Sequence, residues 1–271
     1  MKSYIKKCVS VFRIKFLYGL QYRIAALAGV ACQFAWGFME ILLYKAFYEA
    51  DAAAFPMEFS QITSYIWLQQ AFFRALAVWF FDQDVYDMIS SGSLAYELTR
   101  PIGLYDFWFM KNMAMRTSQA LLRSIPVLIV ASLLPYPWGL SLPASPLAFI
   151  MAVLSMALAI LVTTAIVMMV YIISIHTISP YGIKALIAAL GELFTGAVIP
   201  LPFFPGGLQR IAELLPFGSG QNVPLRIYSG NIAGGALVQA VGLQLFWLVF
   251  LVIAGKLCLK KSMRRVCVQG G

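Results

Sequence analysis

Histidine is almost missing from this sequence, with His176 the single example. A zinc site built on two histidines of one subunit is therefore excluded, and no Ser–His–Asp pattern presents itself. His176 reads as a headgroup-level or carbonyl-bonded residue at a helix end rather than a catalyst. Charge is also scarce: 11 Asp and Glu in 271 residues, and 11% charged residues in all. A soluble domain carries about 25%. The four cysteines, Cys8, Cys32, Cys258 and Cys267, form neither a CxxC pair nor a Cys/His spacing, so no disulfide framework or metal centre is indicated. No G-x-x-x-x-G-K-[ST] loop occurs, since Gly255-Lys256-Leu257 lacks both the first glycine spacing and the hydroxyl. The chain thus has no recognisable way to hold ATP for hydrolysis, and no catalytic, cofactor-binding or metal-ligating set is expected on it. Arg13 and Lys15 interrupt any early apolar run, which argues against a cleavable signal peptide.

What the sequence does have is apolar length. Hydrophobic residues make up 61% of it, and the mean hydropathy is +0.82, values of an all-α integral membrane protein. The formal charge of +9 comes from 20 Lys and Arg. These flank apolar runs rather than forming a separate basic domain, so they read as topology determinants and lipid-headgroup contacts, not as a nucleic-acid surface.

In chain order, residues 1–22 predict an amphipathic surface helix, with Ile5, Val9, Phe12, Phe16 and Leu20 on one stripe. The same residues also suit a basic flank that merely orients the first span. Six spans are expected in residues 23–260, followed by a basic tail over 261–271. They fall at about 24–47, 62–81, 113–134, 147–173, 183–199 and 234–257. Ala25 and Gly29 give the first a small-xxx-small face, and Pro126 predicts a kink in the third. Glu40 and Lys45 are expected near the outer interface. Glu49, Asp51 and Glu58 mark an outer loop, and 135–146 a short outer turn. The Lys and Arg distribution puts both termini, residues 82–101 and the turn at His176–Gly182 on the cytoplasmic side.

Two stretches break the apolar pattern. Residues 82–101, DQDVYDMISSGSLAYELTRP, carry Asp82, Asp84, Asp87, Glu97 and Arg100, too polar for hydrocarbon. Asp82 or Asp84 suits the cap of a short helix, Val85, Met88 and Ile89 share its apolar face, and Gly92 suits its end. An ordinary loop between spans is the plainer reading. Residues 200–230 are apolar enough to dip into the membrane but too broken by Pro and Gly to cross it, with a short amphipathic helix at 208–215. Glu192 is the ionisable residue of most interest. A carboxylate inside a span costs about a few kcal/mol unless paired or wetted. It marks a substrate path or subunit interface, or else a structural lock with Lys184, Arg74 or Arg123. The six tryptophans and many phenylalanines suit interface belts and packing, or the lining of an apolar path.

The segments SGSLAYELTRPI and PLPFFPGGLQRIAELLPF…PLRIYSG together resemble the permease subunit of an ABC-2 type transporter, in the bacterial six-helix exporter group. The matching residues are Gly92-Ser93-Leu94, Leu98–Ile102, Phe204-Pro205, Leu215-Pro216-Phe217 and Pro224. The resemblance implies a dimer with itself or a related permease in the bacterial inner membrane, and a separate ATPase subunit holding ATP and Mg. It implies that Asp84, Val85, Asp87, Met88, Ile89 and Gly92 couple to that ATPase, with the N-terminal helix beside them. Spans two and five would face the dimer axis, with Glu192 and Thr195 on the translocation path. Phe203, Phe204, Pro205, Leu215, Pro216 and Phe217 would form an extracytoplasmic gate. The cargo implied is a drug, peptide, lipid or glycan. An importer permease, an ion- or proton-coupled carrier and an intramembrane enzyme acting on lipid are the rivals. A carrier would want more buried carboxylates or a repeat pair, and an enzyme clustered acids or histidines at one depth.

Overall fold

The computed structural model describes residues 2–21, 23–91, 93–177 and 180–264. Among them the regular structure is entirely helical: α1 (Lys2–Gly19), α2 (Arg23–Ala50), α3 (Phe59–Leu76), α4 (Gln83–Ser90), α5 (Leu94–Leu98), α6 (Leu104–Leu133), α7 (Pro146–Ser174), α8 (Pro180–Phe194), α9 (Gly206–Leu214), α10 (Asn222–Tyr228) and α11 (Gly234–Met263), with short 3-10 turns at Ala52–Ala54 and Leu201–Phe203. Three helices are long and apolar enough to cross a membrane: residues Ala26–Ala50 of α2, all of α7 and all of α11.

α7 is the centre. Its most apolar stretch is 61% buried inside the protein, against 11% for α11. The small residues Ala148, Ala152, Ser155 and Ala159 recur on one face of α7, and α10 and α11 lie against this helix. α6 is the second organiser, carrying α1, α2 and α3. It begins nine residues before the predicted start of span three and runs through Pro126 without interruption. The later start expected from sequence rests on reading Lys111, Arg116 and Arg123 as a boundary; Lys111 and Arg116 lie well inside the helix. Both are buried, and both find partners inside the protein.

α3 stops at Leu76 rather than near Phe81, and α8 at Phe194 rather than Ile199. The α3 break has a tertiary cause, described below. α1 packs on α6 where Gly19 meets Ser118, a contact that leaves no room for a Cβ. Tyr4 Oη donates to Asp106 Oδ2 at 2.6 Å and accepts from the Gly103 N–H at 3.1 Å. Lys256 Nζ reaches Asp106 Oδ1 at 2.7 Å, tying α1, α6 and α11 at one level. Ile5 and Val9 of α1 stay exposed, as a helix lying on a lipid surface would leave them. The Ala25 side chain, Gly92, Ser179, Arg265 and Cys267 lie outside the described residues.

Candidate functional site

The segment between α3 and α4 is built around Arg116. At Ala77 the backbone turns extended, with ψ 124°, and the carbonyls that would have continued the helix are left without amide partners. Arg116 of α6 supplies the donors. Its Nη1 donates to the carbonyls of Ala75 at 2.9 Å and Ala77 at 2.8 Å, and Nη2 donates to that of Phe80 at 2.9 Å. Its Nε donates to Asn112 Oδ1 at 2.7 Å, and the residue is 4% exposed. One guanidinium thus shapes the six-residue break, Ala77–Asp82.

Asp82 then fastens α4 in three ways. Oδ1 caps the helix through the Asp84 N–H at 3.1 Å. Oδ2 pairs with Lys111 Nζ at 2.8 Å, and that ammonium also reaches Asp84 Oδ2 at 3.1 Å. The Asp82 N–H donates to Tyr171 Oη of α7 at 2.7 Å. Val85 and Tyr86 are buried in the main core, and Met88 and Ile89 pack against it. The apolar face of α4 is therefore turned into the protein, and its open face carries Gln83, Asp84 and Asp87. Of the residues implied to couple to an ATPase, Asp84 and Asp87 are the ones presented outward. α5 continues the turn, with Glu97 paired to Arg100 at 2.8 Å.

Glu192 is exposed on α8 and lines a cavity of about 450 Å³ with residues of α2, α3 and α6. Among the described residues it makes no ion pair, so the expected lock with Lys184, Arg74 or Arg123 does not form. Lys184 instead lies over the Tyr86 ring at 3.6 Å. Glu40 lines the same cavity. Its carboxylate accepts from Gln69 Nε2 at 3.3 Å and Gln70 Nε2 at 3.2 Å. Gln33, 4% exposed in the same wall, has no hydrogen-bond partner at either side-chain polar atom among the described residues. Thr195 is buried, and its hydroxyl donates to the Gly191 carbonyl at 2.6 Å, serving the end of α8. Lys45 pairs with Glu49 at 3.3 Å.

The 200–230 segment folds back through α9 and α10. Non-helical backbone that is buried must have its polar groups satisfied, and side chains do so here. Gln221 and Tyr65 donate to the Gly196 carbonyl, at 3.4 Å and 3.3 Å, and Gln244 donates to the Ser219 carbonyl at 2.8 Å. Trp247 Nε1 donates to the Leu214 carbonyl at 2.9 Å. Arg226 pairs with Glu213. Phe203 stands against Tyr44 and Phe55, Phe204 is buried with Leu201 and Ala212, and Pro205 is exposed. Leu215, Pro216 and Phe217 are half-buried, Phe217 against the main core.

Sequence reasoning missed Arg116, Tyr171, Glu40 and the glutamines. The adjacent Gln69-Gln70 pair inside an apolar run was the available signal, because intramembrane polar residues face the protein interior. No curated protein matched the chain. Residues 33–270 match the family model described as ABC-2 family transporter protein. An integral membrane chain whose polar break is clamped between its helices, matched over most of its length, belongs to the ABC-2 transporter family and is a permease component of an ABC transporter.

Proposed function

We propose that this permease is the membrane half of an ATP-driven exporter in the bacterial inner membrane, with six spans, both termini cytoplasmic, and a second identical or related permease beside it. The ATPase subunit docks on the acidic face of α4. The observation that carries this reading is the clamp on α4. A helix entered from a segment that Arg116 fixes, joined to α6 through Lys111 and to α7 through the Asp82–Tyr171 hydrogen bond, cannot move without disturbing those helices. Coupling between sites needs such a rigid connection between two alternative arrangements. The cargo passes along the Glu192 face, and the 200–230 segment closes the outer end.

The test is purification from the native host in mild detergent, with the accompanying chains identified. A stoichiometric partner carrying a phosphate-binding loop is expected, and Asp87→Lys should reduce its recovery. The Glu40–Gln69–Gln70 cluster keeps a proton-coupled carrier as the second reading. Recovery of this chain alone, from cross-linked membranes, would favour that reading.

A further inference from the structure

The cavity of about 450 Å³ between α2, α3, α6 and α8 is lined by polar groups left without complements. Gly29, Gln33, Trp36 and Glu40 face it from one side of α2, at the spacings of neighbours on a helix surface. The Arg123 guanidinium of α6 stands beside Gly29. It makes no ion pair among the described residues, and its Nε is buried without an acceptor. One turn along α2, Gln33 is 4% exposed, and neither polar atom of its side chain has a partner among the described residues. About two turns beyond it, Glu40 accepts from Gln69 and Gln70 but pairs with no cation among the described residues.

One helix sets all three levels, so their order is fixed: a guanidinium without an anion, an amide without a partner, and a carboxylate without a cation. Gly29 and Glu40 stand about 16 Å apart along the axis of α2. Trp36, Phe73 and Trp79 line the same space, the last two in edge contact at 5.7 Å, so apolar surface runs beside the polar row. Glu192 adds a second acid on the α8 wall. Buried charges and an unpaired amide are costly alone and become favourable when complementary groups meet them.

We propose that this cavity binds a short peptide with free ends, its carboxylate on Arg123, a peptide bond on Gln33 and its amino group on Glu40. A simple amine would leave Arg123 bare, a fatty acid would leave Glu40 bare, and a neutral sugar would use neither charge. A zwitterionic lipid headgroup carries both charges, but only a few bonds apart. A peptide carries them at its two ends, with N–H and C=O groups between that complement the Gln33 amide. The planar fork of arginine matches its carboxylate. Extended chain covers about 3.3–3.6 Å per residue, so about four residues, with the reach of the two charged side chains, fill the distance. Apolar side chains of the peptide lie against Trp36, Phe73 and Trp79. The inference rests on the transport reading in making this peptide the cargo.

The experiment uses the full-length permease in dodecyl maltoside and follows tryptophan fluorescence, because Trp36 and Trp79 line the cavity. The tetrapeptide Ala-Leu-Leu-Ala is titrated beside its N-acetylated and its C-amidated forms. Saturable binding of the free peptide is expected, weakened about tenfold or more by blocking either end. Arg123→Gln should abolish the preference for the free peptide over the amidated one, and Glu40→Gln the preference over the acetylated one. Gln33→Leu should weaken all three alike, and Lys260→Gln none. Absence of saturable binding overturns the proposal, as does a free peptide bound no better than its blocked forms. Both are read on the parent protein, so a variant that fails to fold cannot hide them. A preference for the free carboxylate that survives in a well-folded Arg123→Gln protein overturns it as well. The assay needs no ATPase: an ATPase partner recovered without peptide binding sinks this inference alone, and peptide binding without such a partner sinks the ATP-driven reading alone.

Discussion

The α3–α4 junction and the α2–α3–α8 cavity contain similar residues and use them differently. At the junction, Arg116, Lys111, Asp82 and Asp84 find partners within the protein, and the partners belong to helices far apart in sequence. Among the described residues of the cavity, Glu192 and Arg123 make no ion pair and the Gln33 side chain has no hydrogen-bond partner. Paired charges fix geometry, because removing one partner strands the other in a poor solvent. Unpaired ones leave donors and acceptors for something that comes and goes. The junction should therefore respond to substitution through stability, and the cavity through binding.

The largest effect is expected at Arg116. Arg116→Met keeps the length of the side chain but strands three carbonyls and Asn112, at about 1–3 kcal/mol for each buried group left unsatisfied. The sum falls short of simple addition because the break can relax. A loss of about 3 kcal/mol or more is expected, read as a lower Tm in detergent and poor recovery of monodisperse protein. An unchanged Tm would mean that the Ala77–Asp82 break holds itself.

Lys111 comes next. Lys111→Met leaves Asp82 and Asp84 without their cation, and a loss of about 2 kcal/mol is expected, below the 3–5 kcal/mol of a fully buried pair because Asp84 is 78% exposed. Adding Asp82→Asn should recover part of it, since the second substitution removes the stranded charge while an amide oxygen can still cap α4. Strict additivity in that double-mutant cycle would show that the pair carries no coupling.

How much of this was legible in the sequence follows from the range of each interaction. α2, α7 and α11 need only a long apolar run, and hydropathy placed them to within a few residues. The cap at Asp82 is equally local and was readable. The end of α3 was not, because Phe72–Phe81 is apolar enough to continue and what stops it is a guanidinium 39 residues away. Lys111 and Arg116 misled for the same reason: a charge in a span looks like a boundary until its partners are known. The hydrogen bonds of Glu40 were not readable either, because its glutamines come from α3. The inward turn of Val85, Met88 and Ile89 depends on where α7 lies, which periodicity alone does not give.

A smaller effect is expected at Tyr4, which ties α1 to the start of α6. The hydroxyl donates to Asp106, and this hydrogen bond, followed by burial, raises the Tyr4 pKa above the ordinary 10.0. The neutral form is thus favoured in the folded protein. The stability this contributes is complete below pH 10.0 and is lost as pH rises through the higher folded value. Tyr4→Phe should loosen α1 by about 1 kcal/mol. Hydrogen exchange in α1, corrected for the intrinsic rate, should accelerate above that pH in the parent protein and lose this dependence in Tyr4→Phe. Identical pH profiles would assign the anchoring of α1 to Gly19 and Ser118 instead.

The smallest expected stability effect belongs to Glu192, and it bears most directly on the difference between the two regions. The side chain is exposed on α8 and makes no ion pair among the described residues, so Glu192→Gln removes a charge without stranding a partner. Its Tm should move by no more than the equivalent of about 0.5 kcal/mol, the range of substitutions that disturb no packing or pairing. ATP-driven transport, measured in vesicles with the ATPase present, should change if cargo passes this face. A Tm shift as large as that of Lys111→Met would instead make Glu192 part of the frame. The cavity would then differ from the junction only in having partners that a second permease supplies.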